Sequence, residues 1–267
     1  MDGINGKLHE DGGNSYSVIF KRKFIKLGQL ENEDKVECFE FAYDMAFGAG
    51  SHRKIRSGGK KERNKGEIFI NTFQGKAAEF AMYRYLLKED IVTTKPDTNV
   101  EGYGIWDSFD LEYGSLHLAV KSTKSYGNLL LLETKDWNEN GEYIPNLQNG
   151  VSNYDMFVLI RLSPDGERIM KQNRLYYCDS IRREVLEEII IKIDWEYDVA
   201  GFITNKDFVR LIKKGYILPQ GAILNQRTRM DADNYYVQAG NMRTNEEMIR
   251  RLLKYKHMFE NVLTEEK

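Results

Sequence analysis

The sequence predicts a mixed α/β (α+β) fold, with a central mixed β-sheet flanked by helices and a small C-terminal α+β lobe. Three observations carry that expectation. "NTFQGKAAEFAMYRYLLKED" has a broad apolar helical surface, and "FDLEYGSLHLAVKSTK" alternates around a Gly-Ser turn as a hairpin does. "NLLLLE" and "MFVLIRL" are unbroken apolar runs of the kind found in strands covered on both faces.

Taken in order, "NSYSVIFKRKFIKL" reads as a strand pair or an extended lead-in. From about Asp34 the chain turns helical, with Val36, Phe39, Phe41, Ala42 and Met45 apolar and Gly48 as the stop. In the next helix Ala77, Ala78, Phe80, Ala81, Leu86 and Leu87 form the apolar surface, and Glu79 sits within it. A loop with Pro96, Asn99 and Gly102 leads to the hairpin and the two apolar strands. "RLYYCD" then reads as a further strand and "SIRREVLEEIIIKI" as a helix. From Gly201 short apolar pieces alternate with Gly and Asn. The chain closes on "TNEEMIRRLLKYKHMFE", where Thr244 and Glu247 have capping-box spacing. Its stripe of Met248, Leu252, Tyr255 and Phe259 reads as core packing, with a dimer contact as the alternative. Three segments result: 1–72 with a basic loop, a core at 73–200, and a lobe at 201–267 suited to target recognition or dimerisation.

Composition narrows the chemistry. No apolar run approaches the roughly 18 residues of a membrane span, and "MDGINGKLHEDGG" has no signal-peptide character, so a cytoplasmic protein with no membrane partner is expected. Two cysteines, Cys38 and Cys178, make neither a disulfide scaffold nor a zinc spacing with four scattered histidines. Lys76 follows Gly75, but a phosphate loop would need Gly at position 70 and Ser or Thr at 77, which are Ile70 and Ala77. There is no G-x-S-x-G elbow and no H-E-x-x-H pair. Net charge is −2, yet Arg53, Lys54, Arg56, Lys60, Lys61, Arg63 and Lys65 crowd one glycine-punctuated stretch, offset by Glu62 alone. Such a run is either a solvated loop or an arm that contacts backbone phosphates.

The hairpin is the informative stretch. With Gly114-Ser115 as a type II′ turn, Tyr113 faces Leu116, Glu112 faces His117, Leu111 faces Leu118 and Asp110 faces Ala119. Alternation puts Phe109, Leu111, Tyr113, Leu116, Leu118 and Val120 on a core face. Asp110, Glu112, His117, Ala119 and Lys121 fall on the other face. An acid at 119 would oppose Asp110 and let the two share a hard divalent cation, with the Lys121 ammonium beside it to orient water or offset phosphate charge.

In these residues the chain resembles the PD-(D/E)XK nuclease superfamily, which includes most type II restriction endonucleases. The resemblance covers residues 73 to 162 and rests on Glu79, Asp110 and the strand ending "LAVKSTK". It implies a restriction-endonuclease-like core and Mg2+-dependent hydrolysis of double-stranded DNA. Asp110 would be a metal ligand, Lys121 the catalytic lysine and Glu79 the helix acid. Position 119, where the family carries Asp or Glu, holds Ala119. The preferred reading is an enzyme inactivated by replacement of that acid, more readily an Asp than a Glu. The alternatives are a natural strand residue in a protein that cuts no DNA, or a site whose second carboxylate comes from Glu79, Glu112 or Glu133.

Lys124, beyond the strand with Ser122 and Thr123, is a candidate phosphate contact. In the lobe, "LNQRTRMDADNYYVQ" gathers Asn225, Gln226, Arg227, Arg229, Asn234 and Gln238, residue types that read base edges as readily as they build turns. The run from "GFIT" to "MDADNYYV" also looks similar to restriction-endonuclease tails. The expected function is a homodimeric type II restriction enzyme, one site per strand of a symmetric target. A repair or structure-selective nuclease and a non-catalytic DNA-binding module are the rivals.

Overall fold

The computed structural model describes residues 6–48, 63–99, 109–149 and 152–265. In chain order its elements begin with β1 (His9–Gly12), β2 (Ser15–Ser17), β3 (Gly28–Gln29), α1 (Asn32–Phe47) and α2 (Lys65–Lys88). The middle of the chain forms β4 (Leu111–Tyr113), β5 (Leu116–Lys124), β6 (Leu129–Glu133), β7 (Met156–Ser163), α3 (Gly166–Gln172) and α4 (Arg183–Ile190). Then come β8 (Glu196–Thr204), α5 (Asn205–Lys214), β9 (Ile217–Leu218), β10 (Ile223–Leu224), β11 (Thr228–Arg229), β12 (Asn234–Gln238) and α6 (Asn245–Glu265).

These make a mixed α/β protein of three sheets. The central sheet has the order β3-β8-β7-β5-β4, with β5 and β7 parallel and their other neighbours antiparallel. Both of its faces are covered. On one, Leu118, Val120, Val158 and Ile160 meet α1 and α2 through Phe39, Phe69, Phe73 and Phe80. On the other, Ala119, Phe157, Leu159 and Ile203 meet Trp137, Phe208 and the sheet β6-β12-β9. The period of two in β5 and β7 therefore separates two cores instead of a core from solvent. The remaining sheet, β1-β2-β10-β11, ties the N-terminal hairpin to the lobe.

Strand β8 keeps this arrangement through a bulge between its pairs with Leu159 and Ile160. Gly201 carries the bulge at φ 146, and a side chain there would meet the Arg243 carbonyl at 2.7 Å. Beside it Arg161, 1% exposed, forms a two-bond pair with Asp198 and donates to the carbonyls of Arg22 and Lys23. The extended lead-in is thereby sewn to the sheet, with Ile25 N donating to Asp198 as well. α5 opens on a capping box between Thr204 and Asp207 and closes on Gly215 at φ 63.

Several expectations need correction. "RLYYCD" is a turn following α3, where Tyr176 folds back beneath the Lys171 ammonium. Phe109 lies against the second core, its ring stacked on His117, because the strand begins only at Leu111 and alternation does not extend to it. α2 starts at Lys65, so the boundary drawn at residue 72 falls within a helix. The boundary at 200 falls inside β8, and β6 of the nominal core pairs along its whole length with β12 of the nominal lobe. The final stripe does serve the core: Met248 and Leu252 are fully buried in it.

Candidate active site

The hairpin register is the one the turn chemistry requires. Leu111 pairs with Leu118, Glu112 with His117 and Tyr113 with Leu116, and Gly114 takes φ 59 at the turn. Tyr255 of α6 holds the turn from above, its hydroxyl 2.6 Å from Ser115 Oγ. Asp110, one residue before β4, spends Oδ2 on the Val120 amide at 2.6 Å. Its carboxylate thus lies against the peptide that links 119 to 120, where the extended strand pair would have put a backbone carbonyl.

Glu79, Asp110 and Lys121 line one cleft of about 320 Å³. α2 contributes Thr72, Gly75, Lys76 and Glu79, α1 contributes Phe41 and Met45, and the hairpin contributes Asp110 and Lys121. Trp137, Tyr143 and Tyr154, on the segment between β6 and β7, complete the wall. Three of the four residues that the sequence nominated for chemistry therefore share a cleft, although they come from separate elements. The aromatic wall carried no signal of its own, since isolated Trp and Tyr residues outside a periodic element suggest packing at least as readily.

Ala119 is placed differently. It is 1% exposed, belongs to the second core with Phe157 as its neighbour on β7, and is not among the lining side chains. It does share its face of β5 with Lys121, whose β7 partner Leu159 lies in that same core. Glu112 and Glu133 are not part of the lining either.

The cleft's charges are arranged in a specific way. Lys76 Nζ lies 2.6 Å from Glu79 Oε2 and 4.8 Å from the centre of the Phe41 ring, and the pair's side chains are only 5% and 13% exposed. Lys121 has no ion-pair partner among the described residues. Among the described residues, the charged side chains that line the cleft are two carboxylates and two ammoniums. Among the described residues there is no group of three or more His, Cys, Asp or Glu arranged to hold a metal. A hard divalent cation needs oxygen ligands and brings two positive charges. With Glu79 engaged by Lys76 and a methyl group at 119, this donor set does not fit one.

The thiol of Cys38 is fully buried near this charge pair. Burial first, then the charges of Glu79 and Asp34, push its pKa well above the usual range, so it is no nucleophile.

The other nominated contacts divide. Arg53, Lys54, Arg56, Lys60 and Lys61 lie outside the described residues. Arg63 and Lys65 lead into α2; Lys65 is seven residues before Thr72, about 10 Å along the helix from the cleft wall. Lys124 is a correction: its ammonium sits 2.8 Å from Glu167 and 3.2 Å from Asp165. Burial works against its charge, but the Glu167 hydrogen bond and the Asp165 charge outweigh it and raise its pKa. That lysine is engaged within the protein.

Asn225 and Gln226 form the tip of the β10–β11 hairpin at φ 49 and 58. Asn225 Oδ1 accepts from the Val18 amide at 3.0 Å, which makes it a fastening to the N-terminal segment. Gln226, Arg227 and Arg229 are exposed around it. Asn234 and Gln238 are buried and hydrogen-bonded to backbone, Gln238 to four separate groups, so neither is presented to a ligand.

No helix among the described residues is long and apolar enough to cross a membrane. Compared with known proteins, the chain matches no family model, no curated protein and no solved structure at a level that shows kinship.

Proposed function

We propose that the protein has a restriction-endonuclease-like core of the PD-(D/E)XK type and acts on double-stranded DNA, with the cleft of Glu79, Asp110 and Lys121 as the site of phosphodiester chemistry. The observation that carries this reading is the convergence of those three side chains, from α2, the residue before β4, and β5, on one cleft. In this chain the site binds and does not cut. Lys121 offers its ammonium to a backbone phosphate, and Asp110 fixes the peptide beside it through the Val120 amide. The second carboxylate that would make a cation site with Asp110 is missing at Ala119. Two copies of the chain, one per strand, suit a symmetric target.

The test is Ala119→Asp, incubated with Mg2+ and long duplex DNA of mixed sequence, with the ends mapped. Cutting at one recurrent sequence supports the restriction-enzyme reading, and cutting at junctions or lesions supports a repair nuclease. Specific binding by both the parent chain and the variant, without cleavage, supports a non-catalytic DNA-binding module. Neither binding nor cleavage across diverse DNA overturns the proposal.

A further inference from the structure

We propose that the cleft takes a single unpaired nucleotide of the DNA, its base against the aromatic side chains and its phosphate at Lys121. The inference rests on the DNA-acting reading above and names the form in which DNA meets that site. A phosphate by itself needs donors and positive charge, and has no use for rings. Yet Phe41, Met45, Trp137, Tyr143 and Tyr154 border the same volume as Lys121. An apolar, ring-bearing wall beside an ammonium suits a ligand with one flat part and one anionic part. A nucleotide has both, and every base presents a π-face.

The wall is fixed before any ligand arrives. Trp137 and Tyr154 are buried in the second core, where the Trp137 ring meets Phe157 at 5.2 Å and Phe208 at 5.1 Å, both edge-on. Tyr143 leans on them, its ring centre 5.1 Å from that of Trp137 and 6.3 Å from that of Tyr154, and stays half-buried itself. On α1, Phe41 and Met45 are half-buried as well. Rings held in this way lose little freedom when a base stacks on them, so the contact keeps most of its gain.

Size decides between a paired and an unpaired base. A volume of about 320 Å³ is that of a cube roughly 7 Å on edge, whereas the major groove of duplex DNA alone is about 12 Å wide. A double helix does not enter such a cleft, and within one each base has its faces covered by its neighbours. Only a nucleotide turned out of the stack brings a bare face to Phe41 or Tyr143. Turning out costs least where the nucleotide is already unpaired, so the cleft favours DNA with such a position.

The experiment compares a fluorescein-labelled duplex carrying one bulged nucleotide with the same duplex lacking it. Each is titrated with the full chain at one fixed salt concentration and followed by anisotropy. The parent is expected to bind the bulged duplex about fivefold or more tightly, the worth of one stacked base. Tyr143→Leu and Phe41→Leu keep apolar bulk and remove a ring, and each is expected to lose most of that preference. Tyr143→Phe keeps the ring and is expected to retain it. Circular dichroism verifies the fold of each variant. A parent that binds both duplexes equally overturns the proposal and leaves the DNA reading standing. A preference that persists in folded Tyr143→Leu and Phe41→Leu proteins also overturns it, because the base then lies elsewhere. A parent that binds neither duplex overturns the DNA reading and this inference with it.

Discussion

Replacing Ala119 by Asp makes the stability of the protein depend on magnesium, by an amount that can be worked out from the hairpin. Asp110 Oδ2 lies 2.6 Å from the Val120 amide, the peptide that follows position 119, so a carboxylate at 119 would stand within about 5 Å of it. Two carboxylates at about 5 Å repel by roughly 3 kcal/mol at an effective dielectric constant of about 20. The measurement belongs at about pH 8, well above the ordinary carboxylate range. With chelator present the variant is expected to unfold below the parent, the repulsion adding to the burial of a polar group at a site 1% exposed. A cation held between the carboxylates at a hundred times its Kd returns about 2.7 kcal/mol. For a chain of this size that moves Tm by about 5 °C. The assay is thermal unfolding of parent and variant in chelator and in Mg2+, with Ca2+ as a second oxygen-seeking ion. A variant whose Tm ignores both ions refutes the reasoning, because it means that 110 and 119 do not share a ligand even when both are acids.

Four further outcomes are expected. Asp110→Ala orphans the Val120 amide and costs about 2 kcal/mol in urea unfolding, while Asp110→Asn keeps an acceptor and costs clearly less. Arg161→Met leaves Asp198 buried without its partner and costs about 3–5 kcal/mol by the same measurement. In Asp207, burial raises the carboxyl pKa but hydrogen bonds from Arg243 and Thr204 prevail and lower it. Its stabilising effect is therefore present above the unfolded aspartate pKa of about 3.9 and is lost as pH falls through the depressed folded value. Asp207→Asn should destabilise by about 1–3 kcal/mol at neutral pH, and the gap to the parent should close below about pH 4. In DNA-binding titrations, Arg227→Ala and Arg229→Ala on the exposed hairpin tip should each lower the salt slope by about 0.9 for every phosphate the arginine neutralises. Lys124→Ala should leave it unchanged, since that ammonium is engaged by Asp165 and Glu167.

What the sequence made legible is what depends on local rules. The hairpin register follows from a two-residue turn that needs φ > 0 at Gly114 and from strict alternation on either side. The convergence of Asp110 and Lys121 follows from that register, and Glu79 follows from its place on an apolar helix. The features that escaped depend on partners distant in the chain. β8 is a central strand, but Glu196 and Asp198 give its start the look of an acidic surface segment; only the pairing of Asp198 with Arg161 makes that charge tolerable inside. Asn234 and Gln238 look like base readers because amides are, yet Asn234 donates to the Ala232 carbonyl two residues before it, and Gln238 satisfies backbone groups of Gly6, Lys7, Ile19 and Phe20, more than 200 residues away in the chain. Lys76 drew notice only as the lysine of a failed phosphate loop. Its pair with Glu79 is an i,i+3 contact along α2, but its seat over Phe41 is set by the packing of α1 on α2.

The second core explains why an acid at 119 and the site would stand or fall together. In a half-solvated hairpin, the face bearing Asp110, Ala119 and Lys121 would open to water along its length, and a carboxylate at 119 would cost little whether or not it bound anything. Here that face meets Phe157, Trp137 and Tyr154, and only its edge opens into the cleft. Alanine is the residue that such a position accepts without a ligand. An aspartate in the same place is buried beside a second carboxylate and needs a counter-charge, which neither Lys121 alone nor the already committed Lys76 supplies in full. The packing that conceals the methyl group of Ala119 therefore turns an acid there into a demand for a cation.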